Sequence, residues 1–383
     1  MFLDRVPPQE KQYYEKMLKN IGSLSHLFSE SEEPYIDSRI AENLFCKSFS
    51  ADNLSRTDCS VDAVKGSMGI GIKTFLEKNG STMQKVAEFN SGHRLIAGLE
   101  DEPKIRKVSQ LRNDRIETTK RIYQLDSTIY HCITRKPGRI FVHEHLLESV
   151  DIAEIRNVAR RGNIILFEDS INSYSFNTSK STLYKRFITA DILSDIHVDI
   201  LEDPLASVES LFEEASDALS FAPIASQEHV FLPLYSYNRE GNKYVPERSG
   251  LNQWNASGRP RDASEAYIQI PAWIHHRFPG FFPSRDENFI LELPDGSEMS
   301  AKVCQDNSKA LMSNPNSALG EWLLRDVLNL VERELLDYER LEGLGLDSVV
   351  LYKTGSCRYK IDFSRTGSYE AFKQNSERAE HQA

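Results

Sequence analysis

Residues 7–28 carry Tyr13, Tyr14, Met17, Leu18 and Ile21 at the spacing of one helical face, and 38–49 predicts a second helix. The runs VDAV and GIGIKTFL, parted by the turn signal KGSMG, predict two short strands. In 81–90, Met83, Val86 and Ala87 fall on one side of a further predicted helix. Residues 103–125 are strongly charged yet keep Ile105, Val108, Leu111, Ile116 and Ile122 on one face, which predicts a long surface helix. STIYHCITR and IFVHEHL flank KPGR, a hairpin signal, and 163–167 form a compact apolar strand. The segment SINSYSFNTSKSTLYKRF reads as a polar, aromatic and basic strand or loop. An acidic region reaching about Ala225 predicts a last helix and then a linker through APIASQEH. Beyond it, short alternating strands over 229–363 are interrupted by the helical LGEWLLRDVLNL, and from Ser364 the composition is that of a tail.

A chain of 383 residues is long for one core. The pattern divides it into 1–220, a linker at 221–228, a second domain at 229–363 and a tail at 364–383, expected to be disordered. No stretch of about 18 apolar residues occurs, and the start MFLDRVPPQEKQYY has no apolar signal core, so a cytoplasmic protein with no membrane contact is expected. The five cysteines, at 46, 59, 132, 304 and 357, contain no CxxC pair, which fits reduced, buried thiols and not a structural zinc site. The net charge of −11 weighs against DNA only on average. No Lys or Arg lies between Arg186 and Arg239 while acids recur there, so basic patches elsewhere are offset by one acidic stretch.

Two polar runs in the second domain change the picture. SGLNQWNASGRPR places Asn252, Gln253, Asn255, Ser257, Arg259 and Arg261 around Trp254, and a run from Gln305 to Asn316 supplies Lys309, Ser313, Asn314 and Asn316. Guanidinium forks match the two acceptors of guanine, and side-chain amides match the donor and acceptor of adenine. Trp254 either stacks on the arm's own backbone, supports base-contacting neighbours or packs into the core.

The motifs SGLNQWNASGR, IPAWIHHRFPGFFP, LPDGSEMSAKVCQDNSKALMSNPN and LGEWLLRDVL occur in that order, and the region they span resembles the carboxy-terminal DNA-recognition domain of NgoFVII-type restriction endonucleases. The resemblance implies a mainly β, B3-like pseudo-barrel whose two arms, near 249–261 and 307–316, enter the major groove of double-stranded DNA.

In the amino-terminal part Glu42 falls on a helix, Asp62 at the end of one strand and Lys73 within the next. This order resembles the core of PD-(D/E)XK nucleases, an α/β fold. The resemblance implies that Asp62 and the carbonyl of Ile72 hold Mg2+ and that Lys73 orients or activates the attacking water. Such a cation neutralises the phosphate and lowers the pKa of bound water, and oxygen ligands suit magnesium. The family's acidic or amide residue two positions before the lysine is Gly71 here. Glu42 or Glu88 is expected to supply the missing carboxylate, and Asp58 is a substitute for Asp62. Lys180, Lys185 and Arg186 are expected either to meet phosphates or to form a solvated basic edge.

Other chemistries fit less well. The phospholipase D-like catalytic domain found in NgoFVII-type enzymes needs HxK, and Lys136 in HCITRK lies too far from His131. His143 and His145 share a strand face with no third ligand and read as satisfied surface histidines, while His275 and His276 read as braces of the second domain. The glycines at 66, 69 and 71 are followed by no GK[ST]. The sequence thus predicts a Mg2+-dependent type II-like restriction endonuclease, with a homodimer as one way to cut both strands. A catalytically inactive DNA-binding protein and a protein interaction module are the alternatives.

Overall fold

The computed structural model describes residues 1–54, 59–215 and 227–380. Asp58 and most of the expected linker lie outside the described residues. The amino-terminal part begins with α1 (Pro8–Ser23) and α2 (Ser38–Phe49). Asp37 caps α2 by accepting from the Ile40 amide at 2.7 Å, and Ser50 ends it in the left-handed region at φ 49°. Then come β1 (Asp52–Asn53), β2 (Ala63–Lys65), β3 (Met68–Leu76), β4 (Ser81–Glu88), α3 (Asp101–Ile122), β5 (Ser127–Lys136) and β6 (Arg139–Leu146). A meander of β7 (Arg156–Arg161), β8 (Ile164–Glu168), β9 (Ser173–Asn177) and β10 (Thr182–Ile188) leads to β11 (Ser194–His197) and α4 (Pro204–Ala215).

Among the described residues these strands make two sheets, β1-β2-β3-β5-β6-β11 and β4-β10-β9-β8-β7. The β2–β3 hairpin turns at Gly66, whose φ of +58° disfavours a side chain, and β3 then pairs with β5 in parallel. Parallel pairing needs a long crossover, which β4 and α3 provide. One face of the first sheet buries Ile70, Ile72, Ile129 and Ile133 against Tyr14, Leu18, Phe45 and Phe49 of α1 and α2. The other face carries Phe75, Tyr130 and Cys132, with Phe187 of the second sheet packed there. β5 is therefore covered on both faces, which explains its nearly unbroken apolar run.

The expected helix at 81–90 is instead β4. β10 pairs with it over its whole length, from Thr182 opposite Glu88 to Ile188 opposite Ser81, and that ladder overrides the helix-like spacing of Met83, Val86 and Ala87.

The carboxy-terminal part contains β12 (His229–Pro233), the ribbon β13 (Ser236–Tyr237) and β14 (Lys243–Tyr244), β15 (Ile268–Gln269), α5 (Ala272–Arg277), β16 (Asn288–Glu292), β17 (Glu298–Cys304) and β18 (Ala310–Ser313). These are followed by α6 (Ala318–Gly320), which widens into a π-helical turn over Glu321–Val327, then α7 (Tyr338–Leu344), β19 (Leu346–Gly355), β20 (Arg358–Arg365) and α8 (Ser368–Glu380). The main sheet runs β12-β19-β20-β16-β17-β18-β15, antiparallel except where β16 meets β20, and its end strands β12 and β15 approach each other. The result is mainly β and nearly closed, as a B3-like domain requires.

The expected disordered tail is corrected by α8. Within its charged run, Tyr369 accepts from the Trp273 indole at 2.9 Å and Phe372 stacks on Phe278 with centroids 5.5 Å apart. Two aromatic anchors hold the helix on the sheet, and only 381–383 of that segment lie outside the described residues.

α3 joins the two parts. Its Arg115 donates to the Gly343 carbonyl at 3.0 Å and Arg121 to the Val327 carbonyl at 2.8 Å, while Tyr123, just past its end, reaches Asp362 at 2.9 Å. A single apolar cluster runs through Ile116 and Ile122 into Leu328, Leu341 and Phe363.

Candidate functional site

Asp62 stands where β2 begins, and its amide donates to the Ile70 carbonyl at 2.8 Å. Its carboxylate continues the ladder by accepting from the Ile72 amide at 2.6 Å. The N–H and C=O of one strand residue face the same edge, so the Ile72 carbonyl shares that edge with Asp62. Side chains alternate along β3, so Ile72 enters the core under α1 and α2 while Gly71 and Lys73 face the opposite side. There the Lys73 ammonium lies 5.9 Å from the centre of the Tyr130 ring and has no hydrogen bond or ion pair among the described residues.

The glycine at 71 has a packing reason. A Cβ there would come within 3.1 Å of the Tyr130 ring and 3.3 Å of Leu147. Tyr130 sits directly opposite Gly71 in the parallel register, so its ring fills the place of a side chain at 71.

Glu42 projects from α2 with its side chain 12% exposed, 3.9 Å from Arg39. Burial, followed by repulsion from Asp62, raises its pKa, and the Lys73 charge acts in the other direction. Glu42, Asp62 and Lys73 are thus electrostatically joined. Glu88 extends from the end of β4 and is held by Lys85 and Asn90, each at 3.0 Å. The Lys85 hydrogen bond keeps its carboxyl below the usual range.

Asp62, Lys73 and Glu88 line one cleft of about 1090 Å3, and its far wall comes from the carboxy-terminal part through His229, Phe231, Arg365 and Phe372. This far wall is not legible in the residue pattern, because its residues come from β12, β20 and α8. Among the described residues no group of three or more His, Cys, Asp and Glu is arranged as a metal cage. Magnesium commonly takes only one or two protein carboxylates and keeps several waters, so Asp62, which shares an edge with the Ile72 carbonyl, and Glu42, which feels the Asp62 charge, fit it in donor type and number.

Several expected roles change. Lys185 is 5% exposed, donates to the Leu146 carbonyl at 3.4 Å and lies 5.7 Å from the Tyr130 ring centre. Burial, then the Arg112 charge, push its pKa down to about 8, and at 5% exposure it is not on a phosphate-facing surface. Lys180 and Arg186 are exposed. His143 is also buried and not on the surface, with Thr134 and the Asp191 carbonyl as partners at 3.0 Å each. His145 is partly buried, and burial lowers its pKa to about 4. His275 braces the second domain by bonding the Ser308 carbonyl at 2.9 Å, while His276 is exposed.

Among the residues expected to read bases, Asn252 is 1% exposed; its amide donates to the Pro246 and Leu336 carbonyls at 3.0 and 2.8 Å and accepts from the Leu336 amide at 3.0 Å. It clamps the arm instead of facing a base. Arg261, 12% exposed, gathers the Ala256, Ser257 and Arg259 carbonyls and lies 3.4 Å from Glu265, so it shapes the loop from beneath. Ser313 is fully buried and accepts from the Leu319 amide at 2.8 Å. Trp254 packs partly buried against the core. Gln253 is half-buried, and Asn255, Ser257, Arg259, Asn314 and Asn316 are exposed. Arg259 is 53% exposed and bonds Glu265 at 2.6 Å with one nitrogen.

The strand register separates the second run. Ile268 of β15 opposes Leu311 and Gln269 opposes Ala310, so the first arm enters β15 beside the Ser313 end of β18. Arg325, twelve residues past that end, ties the two sides together by donating to the Ala263 carbonyl at 2.7 Å. Asn314 and Asn316 therefore share an end with the first arm. Lys309, exposed, lies at the other end of β18, roughly 13 Å away for four strand residues.

No curated protein matches the chain. The family model of the NgoFVII C-terminal B3-like DNA-binding domain matches residues 227–355, so this region is similar to a restriction-enzyme DNA-binding domain, and the similarity supports DNA as its partner.

Proposed function

We propose that the chain is a sequence-specific endonuclease of double-stranded DNA, a type II-like restriction enzyme that hydrolyses phosphodiester bonds with Mg2+. The observation that carries this reading is the shared cleft: Asp62 and Lys73, from the β2–β3 hairpin, face residues of the region similar to a restriction-enzyme DNA-binding domain. Asp62, Glu42 and the Ile72 carbonyl would hold the cation, which when bound offsets phosphate charge and acidifies water. The unpaired Lys73 ammonium orients that water or stabilises charge on the phosphate. Glu88 stands on the same wall as a reserve carboxylate.

Base reading falls to Gln253, Asn255, Ser257, Arg259, Asn314 and Asn316. Lys309, at the far end of β18, suits a phosphate. A dimer, or one site used twice, would cut both strands.

The packing of Tyr130 against Gly71 favours a second reading, a DNA-binding protein whose nuclease fold has lost activity. Incubating the full chain with supercoiled plasmid, with and without Mg2+, decides between them. Discrete linear fragments that need Mg2+ support the enzyme. Selective retention of DNA with no cutting supports the inactive reader.

A further inference from the structure

Resting on the nuclease reading of this cleft, we infer that it takes one unpaired strand of DNA and not an intact duplex. Its volume of about 1090 Å3 is on the scale of small-ligand pockets, roughly 300 to 1,000 Å3. The two walls also differ in chemistry. Asp62 and Lys73 stand on one side, suited to a phosphate.

The other side is aromatic. Phe231 and Phe372 have ring centres 5.2 Å apart, and His229 lies 5.8 and 6.0 Å from them. All three are half-buried, so part of each ring remains open to the cleft. Stacking of Phe372 on Phe278 fixes that wall from behind. Arg365, exposed and without an ion pair among the described residues, adds a cation beside the rings.

An aromatic platform beside cations is the arrangement that holds single strands, because every base has a face to stack and every link a phosphate to pair. In a duplex the base faces are already stacked on one another, and these rings would have nothing to cover. Binding one strand here therefore requires local unpairing at the scissile position, which costs a few kcal/mol.

The test uses the full chain in EDTA, so that no Mg2+-dependent cutting occurs. Fluorescence anisotropy compares a labelled single-stranded oligonucleotide of arbitrary sequence with the duplex of the same sequence. The single strand binds more tightly, and Arg365→Glu, on an exposed side chain that should not disturb folding, weakens it about tenfold while changing the duplex less. Phe372→Ala produces a similar loss. Equal affinity for both DNA forms, or no change on Arg365→Glu, overturns the inference. Plasmid digestion on the same preparation keeps the two ideas apart. Cutting without single-strand preference removes this inference alone, whereas single-strand preference without cutting upholds it and removes the nuclease reading.

Discussion

The Tyr123 hydroxyl donates to the Asp362 carboxylate at 2.9 Å, joining the end of α3 to β20 across the boundary between the two parts of the chain. The Phe363 amide, at 2.8 Å, is a second donor to the same oxygen. Burial nevertheless dominates, and it pushes the Asp362 pKa up to about 6 from 3.8. The cleft is bounded by both parts, and this junction ties the parts that carry its two walls.

A pH dependence follows from the direction of that shift. The folded state binds the Asp362 proton more tightly than the unfolded chain does, so its contribution is fully present below about pH 4 and lost as the pH rises through about 6. The loss is on the order of 3 kcal/mol for a shift of this size. Urea unfolding across pH 4 to 7 should show it, and Asp362→Asn should flatten that part of the profile. An unchanged slope in the variant would assign the dependence to other groups.

A buried network fixes the amino terminus. Tyr14 lies 2.9 Å from Nε2 of His131, whose Nδ1 is 3.0 Å from Glu144, and Glu144 accepts the Leu3 amide at 3.2 Å. Tyr14→Phe leaves the His131 nitrogen buried without a partner, which costs roughly 1 to 3 kcal/mol. Chemical denaturation reads this directly, and the loss should come with no change in DNA affinity.

Gly71 is set by packing. Gly71→Asp, which supplies the carboxylate of the PD-(D/E)XK pattern, drives a side chain into the Tyr130 ring and should destabilise the chain by about 1 to 3 kcal/mol. Tyr130→Ala in the same chain should recover part of the loss in thermal denaturation. A fully stable Gly71→Asp single variant would show that the ring moves aside freely.

The two arm arginines should behave differently. Arg259→Ala weakens specific binding by roughly 1 to 3 kcal/mol and relaxes base choice at one position. Arg261→Ala removes the side chain that gathers three loop carbonyls, so it should lower stability as well as binding. Anisotropy on specific and random duplexes, beside a melting curve, separates the two outcomes.

Local signals made part of this legible in the sequence. The turn signals KGSMG and KPGR mark the β2–β3 and β5–β6 hairpins, and α2, β2–β3 and β5–β6 each form close to where they were expected. β4 was not legible because its partner, β10, is remote in the chain and decides its conformation. α8 was hidden by its charge: its aromatic anchors are Tyr369 and Phe372, and its Glu370, a charged residue, is held by Tyr235, Tyr237 and Lys243. In the reading arm the residue types were plain, but an amide that suits adenine also suits a backbone clamp. Only the fold shows that Asn252 faces Leu336 and Pro246. The absence of a carboxylate at Gly71 was visible, whereas the ring that takes its place becomes apparent only from the register of β3 and β5.

In the proposed nuclease, Lys73, which lines the same cleft as Asp62, serves phosphodiester hydrolysis. The most direct measurement is the initial rate of Mg2+-dependent plasmid cleavage by Lys73→Ala against the parent chain, with duplex affinity measured in parallel. Cleavage should fall by about a hundredfold or more, the scale of a lost proton-handling or charge-stabilising group, while affinity for the recognition duplex stays the same. A variant that cuts as fast as the parent would rule out this role for Lys73.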